Sequence, residues 1–267
     1  MVEKYYLNED NHVILKKYCD EIGIDFCSTP FANEEVDLLN KIGVPFYKVA
    51  SMDINNITLL KHIARYNKPV VLSTGMASLA EIENAVKAIE GEGNNQIVIL
   101  HCIAIYPPKM KDINLRNISM LQKAFNYPIG FSDHTIGTSI PLASVALGVC
   151  VIEKHFTLNK DLPGWDHQIS ADPKELEKIV RESKNIQKSL GSYKRIISKD
   201  EEEKKLKFRR SVVSIREIPR GDIISEKDIA FKRPGTGIKP DEMEYVIGRK
   251  VNKNINNDEL IRWEDLV

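Results

Sequence analysis

Over its first 190 residues the chain alternates short apolar runs with longer amphipathic stretches, and each apolar run ends in a polar cluster. A run too short for a buried helix, followed by a stretch with helical periodicity, is the pattern of βα units on a parallel sheet. Six runs read as strands: 24–28, 46–51, 69–73, 97–102, 129–132 and 149–155. Between them the apolar period is helical. Leu79, Ile82, Val86 and Ile89 share one helix face, Ser78 is placed to cap it with Glu81 at the capping-box position, and Gly91 closes the end. Residues 9–22 read as one more helix, with no strand before it.

The six strand ends carry Cys27-Ser28-Thr29-Pro30, Lys48-Val49-Ala50-Ser51, Ser73-Thr74-Gly75, His101-Cys102, Ser132-Asp133-His134 and Glu153-Lys154-His155. An open doubly wound sheet concentrates its chemistry near one switch point. Polar chemistry at every end favours instead a TIM-type (β/α) barrel whose C-terminal rim is a single mouth. Such a barrel closes with eight strands, so the expected class is α/β with an incomplete barrel of about six.

Around residue 191 the pattern changes. Gly191 ends the last long helix, and KDEEEKKLKFRR at 199–210 reads as a solvated connector. Beyond it SVVSIREI, DIAFKRPG and KVNKNI alternate between turn signals, as small β-rich domains do. The expected organisation is a partial barrel over 1–190, a linker over 191–210 and a β-rich domain over 211–267.

Thirty-eight Lys and Arg balance 38 Asp and Glu, so no overall field draws the chain to nucleic acid or to an anionic membrane. No apolar run approaches the roughly 20 residues of a membrane span. The opening MVEKYYLNED has no apolar signal region, and a cytoplasmic location is expected. Cys19, Cys27, Cys102 and Cys150 form no C-x-x-C pair, and three of them lie in apolar runs, where buried reduced thiols are expected.

SDHT at 132–135 and EKHF at 153–156 put one imidazole at each of two adjacent strand ends. Two such imidazoles suit a divalent cation with open positions, although either His alone also reads as a hydrogen-bonded rim residue. Asp133 and Glu153 are open between metal ligand, orienting group and acid/base. Lys48, Ser51 and Ser73 read as a phosphate cradle, helped by the amides of the helix that follows Thr74-Gly75-Met76; the same STG also reads as a simple capped turn. A rim lysine, Lys48 or Lys154, also admits a Schiff-base aldolase. Arg233 in RPGTG suits a bidentate grip on an oxygen-rich group, and Gly164-Trp165-Asp166-His167 suits a sugar-facing loop. His12 and His62 lie on helical stretches and read as structural.

CSTPF, YKVAS, LSTGM, LHCIAIYP, GFSDHT, IEKHF and RPGTG, in this order, resemble the N-acetylneuraminate (sialic acid) synthase family, over essentially residues 7–267. The resemblance implies a TIM barrel joined to a type III antifreeze-like (SAF) domain. It implies condensation of phosphoenolpyruvate with an N-acetylated hexosamine, giving a nonulosonic acid and phosphate. It assigns His134 and His155 to a divalent metal (Mn or Mg), and Thr29, Lys48, Ser51 and Ser73 to the phosphoenolpyruvate. Tyr106, Glu153 and Asp166 fall to the sugar, with Lys48 and Glu153 as the catalytic pair. Arg233 is implied to reach the other subunit of a domain-swapped homodimer.

Two departures from the family pattern stand out. Ala104 replaces an expected Asn or Ser, and the opening strands with a catalytic Glu and a Lys are not found. The chain therefore reads as lacking the N-terminal part of the barrel. The expectation is little activity unless another polypeptide supplies it, or an inactive sugar-phosphate-binding remnant. The acceptor sugar, N-acetylmannosamine or a 2,4-diacetamido relative, is not specified by these motifs.

Overall fold

The computed structural model describes residues 6–164 and 166–267. The chain divides into two compact units, 1–191 and 192–267. The first holds a parallel five-stranded sheet in chain order: β1 (Tyr47–Val49), β2 (Val70–Ser73), β3 (Ile97–Cys102), β4 (Ile129–Asp133) and β5 (Ile152–Lys154). Around it run α1 (Glu9–Ile22), α2 (Asn33–Ile42), α3 (Ile57–Ala64), α4 (Leu79–Glu90), α5 (Arg116–Ala124), α6 (Ser139–Ala146) and α7 (Pro173–Leu190).

Side chains alternate between the two faces of a strand, and the burial follows that period. Tyr47 and Val49, Val70 and Leu72, Ile97 and Ile99, and Ile129 and Phe131 all enter one core with Leu60, Ile63, Ile82, Ile89, Ile118 and Leu121 of the helices. Lys48, Ser73, Cys102, Ser132 and Glu153 take the intervening positions and line a cavity. One strand thus supplies the apolar layer with one parity of residue and the chemistry with the other.

Five strands replace the expected six. Residues 24–28 form no strand, because an apolar run becomes a parallel strand only where a neighbour's ladder takes up its amides and carbonyls. Here Ile24 is exposed and Phe26 packs onto the core edge, with His12 set edge-on to its ring at 6.2 Å. Helix α1 spans the expected residues but buries none of them, and Val13, Ile14, Tyr18 and Ile22 are exposed. The capping box of Ser78 and Glu81 forms as read, and Gly191 caps α7 at φ 58°. All four cysteines are free; only Cys102 is buried, and Cys27 and Cys150 are exposed, since neither occupies a core position of a paired strand.

In the second unit the charge run folds as helix α8 (Lys199–Phe208), capped by Ser198 and Glu201, where a connector was expected. Acidic residues in its first turn and lysines in its last complement the helix dipole. Strands β6 (Ser211–Ser214) and β7 (Ile229–Lys232) pair antiparallel, and KVNKNI contributes isolated bridges at Val251 and Ile255. A separate core forms from Val212, Ile218, Ile224, Ile238, Val246, Val251, Ile255 and Ile261. No helix among the described residues is long and apolar enough to cross a membrane.

Two outcomes follow from this packing. A methyl at Gly130 would lie 2.4 Å from Leu100 Cδ2 and 2.9 Å from the Val151 carbonyl oxygen, which is backbone and cannot swing aside. Gly130→Ala is expected to cost the first unit about 1–3 kcal/mol in denaturant unfolding. In the second unit the Arg216 guanidinium, 2.5 Å from Asp228, holds that carboxyl down at about 2, with Ser225 donating to it as well. Its ordinary unfolded value is near 4. The stabilisation is therefore complete above pH 4 and is lost as pH falls toward 2. Because Arg216 is partly exposed, solvent screening limits the effect, and Asp228→Asn should cost about 1–2 kcal/mol at pH 7 and nothing near pH 2 in urea titrations.

Candidate active site at the strand-end rim

The C-terminal ends of the five strands open on one cavity of about 450 Å³, within the range of small-molecule sites. It is lined by Thr29, Lys48, Ser51, Ser73, Tyr106, Glu153, His134 and His155, all named from sequence, together with Ser132 and Cys102. Asp166 lies beside this group, its Oδ2 3.9 Å from His155 Nδ1. Trp165, of the expected sugar-facing loop, lies outside the described residues. Arg233 belongs to the second unit, where its guanidinium lies over the Phe208 ring at 5.2 Å.

One half of the rim is an anion cradle. The Lys48 ammonium donates to Ser73 Oγ at 2.8 Å and to the Val49 carbonyl at 2.9 Å, with its side chain only 12% exposed. Ser51 Oγ accepts from the Gly75 amide at 3.0 Å, which fixes the loop after β2. Ala104 closes this wall, within 3.0 Å of where a Gly75 Cβ would stand. The helix that follows begins with its own Ser78–Glu81 capping box, which takes up the Ser78 and Glu81 amides and sets the Glu81 carboxylate at the helix start. The cradle is made of side chains.

The other half follows from one register. β4 and β5 pair with Ser132 opposite Glu153 and Asp133 opposite Lys154, so the next step sets His134 against His155. Each pair meets: Ser132 Oγ donates to Glu153 Oε1 at 2.6 Å, Lys154 Nζ to Asp133 Oδ2 at 2.7 Å, and the two imidazole centroids stand 5.3 Å apart. Ser132 was not singled out from sequence. The signal was there, since SDH and EKH align at their histidines and residues two apart on a strand share a face. Glu153 also reaches back across the mouth, its Oε2 3.4 Å from Lys48.

The two imidazoles suit a shared cation. His134 Nδ1 lies 2.8 Å from the Ile103 carbonyl, which can only accept, so the proton sits on Nδ1 and Nε2 keeps its lone pair. Burial holds His134 below the ordinary imidazole value, so the ring is neutral at pH 7, as a ligand must be. A centroid separation of 5.3 Å permits two ring nitrogens to reach one ion at about 2.1 Å each. Among the described residues no group of three or more His, Cys, Asp or Glu is placed to hold a metal ion, so the two imidazoles would need other ligands to complete a site. The Tyr106 ring lies tilted against His134 at 4.0 Å and edge-on to His155 at 5.7 Å, walling the pair on one side. Lys154, a sequence candidate for covalent chemistry, is 4% exposed, and its ammonium is taken by Asp133 and by the Thr135 carbonyl at 2.6 Å.

The NeuB family model matches residues 1–195 and the SAF domain model residues 209–267. The N,N'-diacetyllegionaminic acid synthase of Campylobacter jejuni is 42% identical over 98% of this chain and 79% of its own length; that of Legionella pneumophila is 36% identical over 100% and 76%. The crystal structure of N-acetylneuraminic acid (sialic acid) synthetase from Leptospira borgpetersenii, in complex with citrate, superposes with a TM-score of 0.71 at 41% identity, over 74% of this chain and 69% of that one. With both of its units matched and relatives of 36–42% identity covered over more than three quarters of their length, the chain belongs to the NeuB family, the sialic acid synthases, and carries their SAF domain.

Proposed function

We propose that the rim serves the condensation of phosphoenolpyruvate with an N-acetylated amino-hexose, N-acetylmannosamine or a 2,4-diacetamido sugar, to a nonulosonic acid and phosphate. The observation that carries this reading is the meeting of two unlike half-sites in one cavity. Lys48, Ser51 and Ser73 form a cationic, hydroxyl-rich cradle, and 3.4 Å from Lys48 begins the Glu153–His134–His155 group. An enol phosphate held in the first presents its C3 to an aldehyde held in the second, and the new C–C bond forms between them while water and phosphate exchange at C2.

In this scheme Lys48 neutralises phosphoenolpyruvate oxygens, and Thr29 and the two serines orient them. Glu153, hydrogen-bonded to Ser132, holds sugar hydroxyls or moves a proton, while Tyr106 and Asp166 line the sugar. His134 and His155 would hold a Mn or Mg ion, which supplies Lewis-acid polarisation of the sugar aldehyde. The five strands are read as an arc of a (β/α) barrel, since β1 and β5 have no outer strand partner among the described residues. Arg233 is read as reaching the acyl group of the sugar from the other subunit of a domain-swapped dimer.

Calorimetric titration with phosphoenolpyruvate is the direct test. Lys48→Met removes a charge-assisted partner and should weaken binding about tenfold or more. Unchanged affinity in that variant would remove the cradle from the scheme. Borohydride reduction in the presence of pyruvate should label no lysine, whereas a covalent adduct at Lys48 or Lys154 would replace the condensation by Schiff-base chemistry.

A further inference from the structure

We infer that the buried Lys154–Asp133 ion pair is a positioning device for the two imidazoles, with Lys154 as its central residue. Resting on the cation site read above, the inference adds a role for two residues that touch neither substrate nor ion in that scheme. Both side chains are nearly inaccessible, 4% and 0% exposed, and lie 2.7 Å apart.

The hydrogen bonds of the pair enclose His134. Asp133 Oδ1 accepts the Thr135 amide at 3.0 Å, and Lys154 Nζ donates both to Asp133 Oδ2 and to the Thr135 carbonyl. Residues 133 and 135 are thereby tied together across the single residue between them. That residue's backbone is held between the two ties, and its ring meets the Ile103 carbonyl, which leaves Nε2 as the free donor. On β5, Lys154 stands between Glu153 and His155, so the same contact sets the height of β5 against β4 and with it the separation of the two rings. A second effect is electrostatic. The ammonium occupies the Asp133 carboxylate immediately beside His134 and withholds it from coordination, so the two imidazoles stay the donors these strand ends would offer a cation.

A buried pair that served packing alone would be replaceable by a neutral pair of similar shape, often without loss of stability. A pair that orients metal-binding imidazoles would not, because partners behind the ligands set affinity by about 10–100-fold. The test uses Lys154→Met, Asp133→Asn and the double variant, with His134→Ala as the reference for a lost ligand. Mn(II) affinity is read by electron paramagnetic resonance, and the His134 tautomer in metal-free protein by nitrogen NMR. Lys154→Met alone strands a buried carboxylate and should lower the melting temperature; the double variant should regain it. The expected result is that the double variant still binds Mn(II) about 10–100-fold more weakly than wild type and shows mixed His134 tautomers, where wild type shows Nδ1–H alone. Wild-type affinity together with a single tautomer in the double variant would overturn the inference. Should wild type bind Mn(II) no better than His134→Ala, the cation reading fails by itself, and the tautomer comparison still decides whether the pair positions the ring.

Discussion

The site depends on the register between β4 and β5. A parallel ladder lets residues align in one of several steps, and a slip of one would turn every side chain to the opposite face. The step adopted brings hydroxyl to carboxylate, ammonium to carboxylate and imidazole to imidazole in three successive rows. All three rows line the cavity, and the side chains of the middle row are buried, 4% and 0% exposed. A buried charged pair therefore lies between two polar rows, and none of the three could be shifted without unpairing a buried charge, a change that costs several kcal/mol.

A second constraint joins this half of the rim to the other. Lys48 on β1 is separated from Glu153 on β5 by three intervening strands, yet their charged atoms come within 3.4 Å, because the sheet curls and its ends converge. The cradle and the imidazole pair consequently share one cavity rather than forming two separate clefts. The apolar layer makes that possible: Tyr47, Leu72, Ile99 and Phe131 on the helix side leave the inner parity free for polar residues.

Much of this was legible before any coordinates. The capping box at Ser78, the glycine stop at Gly191 and the length of α1 are local matters, decided by hydrogen bonds within a few residues, and their signals lie side by side in the chain. The clustering of Thr29, Lys48, Ser73, Tyr106, Glu153, His134 and His155 was legible because strand ends are marked by where apolar runs stop. Misreadings came where a partner decides. Residues 24–28 have strand composition but no ladder, and Cys27 and Cys150 sit in apolar surroundings without reaching the core. The run 199–210 looked like a connector because its charges hide a helix that caps and dipole complementarity sustain.

What the sequence by itself determined is the order of elements, the parity of apolar and polar residues along each strand, and the residue types that arrive at the rim. These follow from periodicity and capping, which act over one or two turns of chain. Only the tertiary structure decided which polar groups meet. Whether Lys154 would act as a nucleophile or as the hidden partner of Asp133, and whether Ser132 would orient Glu153, turned on the register of two strands some twenty residues apart. Such register is chosen by the summed burial and pairing of whole strands, a quantity that no local stretch contains.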